Sequence, residues 1–205
     1  MGFDLTGTIH KTIPEPNWEL EWDHADIKQY FATRDKTRGA YFHANCWAWR
    51  PIPVLVRKLG FLKTEAELNG WAYNDCYEVD KGEAKEIAFA ILDWLDCMVQ
   101  EKDIPEGEEA HYLVNMEGNV MGEMEFCEVW RKLPENMEDC DICEGTGKRN
   151  DKLGQDARKA DPEYACNGCS GKGTKPKWDC EYAISLDHLE QFAEFARASG
   201  GFRIG

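Results

Sequence analysis

The most regular pattern of apolar and polar positions runs from about Lys81 to Gln100, where Ile87, Ile91, Trp94, Leu95 and Met98 recur every three or four residues. That spacing gathers them on one face and predicts a core helix, with Asp80 and Glu83 offering a capping-box start. A second helical pattern, Leu189, Phe192, Ala193 and Ala196, follows the strand-like run from Glu181 to Ser185. Asp187 is placed to cap it, and Gly200-Gly201 to end it with Arg197 in the last turn. Near the start, Trp18, Leu20 and Trp22 alternate with Glu19 and Glu21, which predicts a half-buried strand. The aromatic block Tyr41 to Arg50 runs into Pro51, and the apolar stretch to Leu59 reads as a short helix opened by proline and closed by Gly60.

Between Asn136 and Trp178 the apolar periodicity stops, and Gly, Lys, Asp and paired cysteines take over. Apolar patterning resumes afterwards, so the expected organisation is a discontinuous main domain, residues 1–137 and 176–205, carrying an inserted module at 138–175. The expected fold class is α+β: two main helices on short strands, with a zinc-knuckle insert.

Composition narrows the function classes. Of 205 residues, 42% are hydrophobic, which is globular composition. The net charge of −15 and the lack of a Lys/Arg-rich run argue against non-specific nucleic-acid binding. No segment reads as a signal peptide or a membrane span, and nine cysteines, four of them in metal-type pairs, fit a reducing cytoplasm better than a disulfide framework.

Cys140-Asp-Ile-Cys143-Glu-Gly-Thr-Gly147 and Cys166-Asn-Gly-Cys169-Ser-Gly-Lys-Gly173 are two copies of CxxCxGxG. Two intervening residues let both thiolates of a knuckle reach one ion, and the glycines permit the turns that wrap backbone amides around sulfur. The expected cofactor is one structural Zn2+ held by Cys140, Cys143, Cys166 and Cys169. Four thiolates leave no open position for Lewis-acid chemistry.

Tyr41, Asn45, Trp47, Trp49 and Arg50 combine stacking faces, an amide and a guanidinium, the groups a flat, phosphorylated ligand needs. The same block also reads as a Trp-rich core edge with Arg50 paired to an acid. Asn74 and Asp75 join the pocket as hydrogen-bond partners or form a turn. The histidines show no metal-type spacing, and no nucleophile motif is recognisable. An enzyme reading would pair His43 with Asp75; an adaptor reading would use the polar arm Lys148 to Glu163 as a docking surface. Cys46, Cys76, Cys97, Cys127 and Cys180 read as buried small hydrophobes.

The repeated CxxCxGxG resembles the cysteine-rich domain of DnaJ-type chaperones over residues 138–175, with two copies here against that domain's four and no J domain. More widely, Met1-Gly2-Phe3-Asp4 with Gly7, the block Tyr41 to Pro51, Asn74-Asp75, the two hooks and the ending Phe192 to Phe202 resemble a largely uncharacterised family of small phage and prophage proteins. Cys76 and Gly205 depart from that family's pattern. The aromatic block and the lack of a catalytic motif lead to the expectation of a non-enzymatic protein that captures a small, nucleotide-like signalling ligand or a host protein; the resemblance implies a phage-type cytoplasmic accessory protein, with a role against host defence by association. It brings no established activity with it.

Overall fold

The computed structural model describes residues 2–73 and 76–205. Asn74 and Asp75 therefore lie outside the described residues. Along the chain come β1 (Gly2–Gly7), α1 (Ala25–Lys36), β2 (Tyr41–Asn45), α2 (Cys46–Trp49), α3 (Pro51–Lys58), α4 (Glu65–Ala72) and β3 (Glu78–Val79). They are followed by α5 (Lys81–Glu101), β4 (Tyr112–Asn115), β5 (Val120–Gly122), α6 (Glu123–Glu128), β6 (Met137–Asp139) and α7 (Lys152–Ala160). The last elements are β7 (Thr174–Pro176), β8 (Ala183–Ser185), α8 (Leu186–Ala198) and β9 (Phe202–Ile204). Helices and short strands are interspersed, so the fold class is α+β.

The chain divides into two compact units, a main unit of Met1–Met121 with Tyr182–Gly205, and a second unit of Gly122–Glu181. In the main unit a four-stranded sheet has the order β2-β1-β9-β3, and a three-stranded sheet the order β5-β4-β8. β1 pairs antiparallel with β2, Phe3 opposite Ala44 and Leu5 opposite Phe42, so the apolar side chains of both strands share one face. On that face lies a core into which α5 sends Ile87, Ile91 and Leu95, and α8 sends Leu189, Phe192 and Phe195. Asp80 caps α5 through the amides of Gly82 and Glu83, and Pro51 opens α3. α8 is capped by Ser185, whose hydroxyl accepts from the His188 amide, in place of the expected Asp187. The strand runs up to Ser185 itself, and Asp187 already lies inside the first turn, where its charge still suits the helix N-terminus.

No strand forms at Trp18 to Trp22. Those residues lie in turns, where the Trp18 and Trp22 rings pack on each other at 6.4 Å and on Tyr30 and Phe31 of α1. Aromatic packing across a turn has produced the alternation that imitates a strand.

The second unit has little apolar core. Among its described residues only Phe126 and five cysteines are buried hydrophobics. Trp130 stacks on Phe126, and β6 pairs with β7 in a two-stranded ladder, Glu138 opposite Lys175. The polar arm folds into α7, capped by Asp151, which also holds Arg149 at 2.7 Å through both carboxylate oxygens. The expected module limits at 138 and 175 fall inside this unit, on the β6–β7 ladder.

Candidate metal centre and ligand surface

The β6–β7 ladder delivers the two cysteine hooks side by side. Its register continues in a bond from the Cys140 amide to the Gly173 carbonyl, matched by one from the Cys166 amide to the Gly147 carbonyl, both 2.8 Å. Each hook thus closes on the other. Glu144 and Ser170 take left-handed φ of 52° and 50°, as do the glycines that follow them, which turns each loop back over its own sulfurs. The Gly147 amide then donates to Cys143 Sγ at 3.3 Å and the Gly173 amide to Cys169 Sγ at 3.2 Å. A Cβ on Gly147 would meet the Gly171 carbonyl oxygen at 2.4 Å, and one on Gly173 the Gly145 oxygen at 2.3 Å, so only glycine fits either place.

Cys140, Cys143, Cys166 and Cys169 are all buried, and their sulfurs lie within 4.8 Å of one another. Cys140 and Cys166 are 3.8 Å apart, Cys143 and Cys169 3.7 Å. A disulfide needs about 2.05 Å. A tetrahedral site with metal–sulfur bonds of 2.3 Å has sulfur–sulfur edges of about 3.8 Å, so the donors fit one zinc ion. Without a cation, burial pushes the Cys143 thiol up to about 11 against the opposing pull of the Gly147 amide. A divalent ion reverses that balance by holding the sulfurs as thiolates. This is a candidate structural zinc site with no open coordination position.

The aromatic block of the main unit is distributed over three environments. Trp49 is fully buried: its ring lies 5.3 Å from Phe3 and 5.9 Å from Trp71, and its Nε1 donates to the Trp71 carbonyl at 2.7 Å. Asn45 caps α2, its side-chain oxygen accepting from the Ala48 amide at 2.9 Å. Tyr41 lies on the open side of the four-stranded sheet, beneath the Arg34 guanidinium at 3.6 Å, and donates its hydroxyl to Asp4. Burial, then that hydrogen bond, pushes Tyr41 up to about 12.

Trp47 and Arg50 stay together. Trp47 is 47% exposed and lies 5.0 Å from the Tyr182 ring, while the Arg50 guanidinium lies 6.0 Å from Tyr182 and 5.4 Å from Tyr73. Arg50 Nε is buried and has no hydrogen-bond partner among the described residues. The block's alternation explains the split: β2 turns Tyr41 outward, and the α2 turn then sends Trp47 outward and Trp49 inward. Tyr73 and Tyr182 carried no signal in the sequence, because only the fold brings them to Arg50.

His43 meets Asp4, with Nδ1 and Oδ1 3.1 Å apart. Of the five cysteines outside the metal centre, Cys180 is buried, Cys46 and Cys127 half-buried, and Cys76 and Cys97 exposed. The expectation that all five are buried is corrected for the last two: Cys97 falls on the outer face of α5, and Cys76 precedes β3 with a left-handed φ of 60°.

No helix among the described residues is long and apolar enough to cross a membrane. Comparison with protein-family models, with curated proteins and with solved structures finds no match to this chain. The resemblances to DnaJ-type chaperones and to phage proteins thus gain no support there; the buried four-cysteine cluster stands on its own geometry.

Proposed function

We propose that this chain is a non-enzymatic binding protein of the phage accessory type, in which the zinc is structural and the surface around Trp47 and Arg50 takes a flat, anionic, nucleotide-like ligand. The observation that supports this reading is the ladder of groups Trp47, Tyr182, Arg50 and Tyr73, with a buried Arg50 Nε that has no acceptor among the described residues. Stacking of a base on an exposed aromatic is worth about 1–3 kcal/mol, and a guanidinium adds charge-assisted bonds to phosphate. The role against host defence rests on the sequence resemblance alone. Titration calorimetry of the full chain against a panel of nucleotides, signalling nucleotides included, tests the reading. Binding weakened at least about tenfold by Trp47→Ala and by Arg50→Ala supports it. A silent panel beside a specific host protein captured by the wild type, and lost with Trp47→Ala, moves the reading from small ligand to host partner.

The Asp4–His43 pair supports a second reading, a small enzyme in which Asp4 orients His43 for acid–base work. Turnover of a bound nucleotide, abolished by His43→Ala with folding intact, would put this reading first.

A further inference from the structure

The main unit carries another feature, on the side of its four-stranded sheet that faces away from the core. Alternation along the strands buries Phe3, Leu5, Phe42, Phe202 and Ile204, and so turns Asp4, Thr6, His43, Glu78 and Arg203 the other way. The register sets Tyr41, Thr6, Arg203 and Glu78 in one row across all four strands. A cavity of about 420 Å³ opens here, lined by Asp4, Thr6, Thr8, Lys11, Glu78 and Arg203 among others. Small-molecule sites commonly enclose about 300–1,000 Å³.

The charges around the cavity are unevenly matched. Asp4 is already served by the Tyr41 hydroxyl and by His43, donors that hold its carboxyl below the usual carboxylate range. Arg203 is hydrogen-bonded to the Cys76 side chain and lies opposite Glu78 in the β3–β9 pair, but makes no ion pair among the described residues. The Lys11 side chain has no hydrogen bond or ion pair among them either. The chain has 39 acidic residues against 24 basic ones, and Asp4 and Glu78 share this cavity, yet among the described residues neither cation closes an ion pair. Hydroxyls of Thr6 and Thr8 stand with them, and Glu78 supplies an acceptor.

We propose that this cavity binds a small sugar phosphate. Lys11, Arg203 and the threonine hydroxyls receive the phosphate, through charge-assisted bonds of the kind that Arg and Lys make best with phosphate oxygens. Glu78 and Asp4 Oδ2, the oxygen that Tyr41 and His43 do not use, accept from the sugar hydroxyls. The proposal is independent of the Trp47 surface, since none of the residues that carry it belongs to that ladder.

Calorimetry with ribose 5-phosphate, ribose and inorganic phosphate as separate probes tests it on the full, zinc-loaded chain. Saturable binding of ribose 5-phosphate is expected, tighter than inorganic phosphate, with ribose silent. Lys11→Gln and Arg203→Gln should each weaken it about tenfold or more, the size of a lost charge-assisted hydrogen bond, while Trp47→Ala leaves it unchanged. Both substituted residues are exposed, so circular dichroism and zinc content should match the wild type. Absence of binding, equal affinity for ribose 5-phosphate and inorganic phosphate, or variants that fold normally and bind as well as the wild type would each overturn the proposal. Loss on Trp47→Ala alone would assign the phosphate to the other surface and overturn it equally.

Discussion

The two units of this protein solve the same problem by opposite means. The main unit surrounds Trp49, Trp71 and Phe192 with the apolar faces of α5, α8 and two sheets, and most of its buried side chains form one continuous cluster, with Ile13, Tyr30 and Ala40 in a smaller one. Among the described residues, the only hydrophobic side chains that the second unit, Gly122–Glu181, buries are Phe126 and five cysteines. A segment of that size with so little apolar burial cannot offset its chain entropy, whereas a structural zinc contributes roughly 10 kcal/mol or more. Stability in one unit is spread over many contacts, and in the other it is concentrated at one point.

The largest expected effect follows from that concentration. Cys140→Ser, or stripping the metal with a strong chelator, should unfold the second unit with a loss on the order of 10 kcal/mol, while α5 and α8 keep their protection. Hydrogen exchange read peptide by peptide decides it: unchanged protection at 137–176 after loss of one zinc per chain would mean that zinc is not what folds this unit. Phe192→Ala should do the reverse. Its ring is fully buried and meets Phe42, Trp49, Trp71 and Phe202. Its removal should cost the main unit about 3–5 kcal/mol in denaturant titration and leave zinc content at one per chain; loss of zinc as well would tie the two units' folding together.

Gly147→Ala is expected to have a smaller effect. The Cβ collides with the Gly171 carbonyl and disturbs the amide that bonds Cys143 Sγ, so zinc affinity should fall about 10–100-fold in a chelator competition. An unchanged affinity would show that the interlocked loops are dispensable.

The pattern carried some of this and not the rest. The helix at Lys81–Glu101 was legible because one face repeats at helical spacing and Asp80 caps it, and the metal site was legible because CxxC spacing is itself a coordination constraint. Two helices were not. α1 buries only Ile27 and Tyr30, and the sole buried residue of α7 is a glycine, so neither shows a stripe. The aromatic block is contiguous in sequence, yet β2 and α2 aim its members in different directions, and Trp49 belongs to the core, as the core-edge reading of the block expects for it. The partners of Arg50 and His43, namely Tyr182, Tyr73 and Asp4, come from other strands and turns, where no local periodicity marks them.

The smallest expected effect separates the units by pH. Zinc thiolates must stay deprotonated, so the second unit should weaken as acid protonates them. Tyr41 belongs to the alkaline side: raised from 10.0 to about 12, its neutral phenol is the form the fold favours, and its contribution is present below 10 and lost as pH rises through about 12. Ultraviolet titration of the wild type against Tyr41→Phe should show one tyrosinate appearing near 12, and Asp4→Asn should bring that step down. A Tyr41 that titrates at the ordinary tyrosine value of 10.0 would mean that its hydroxyl does not bond Asp4.

The place of β9 has a consequence for how the protein is made. β9 lies between β1 and β3, with Leu5 opposite Ile204 on one side and Val79 opposite Phe202 on the other. A ribosome therefore releases the first 121 residues, and then the whole of the cysteine-bearing segment, before it supplies the strand that joins the two halves of that sheet. During this interval the unpaired edges of β1 and β3 are open to wrong partners, while both hooks are already out and able to take up metal. Metal capture can thus run ahead of sheet closure, and the nascent chain passes through a stage in which its smaller half is finished and its larger half is waiting for its last strand.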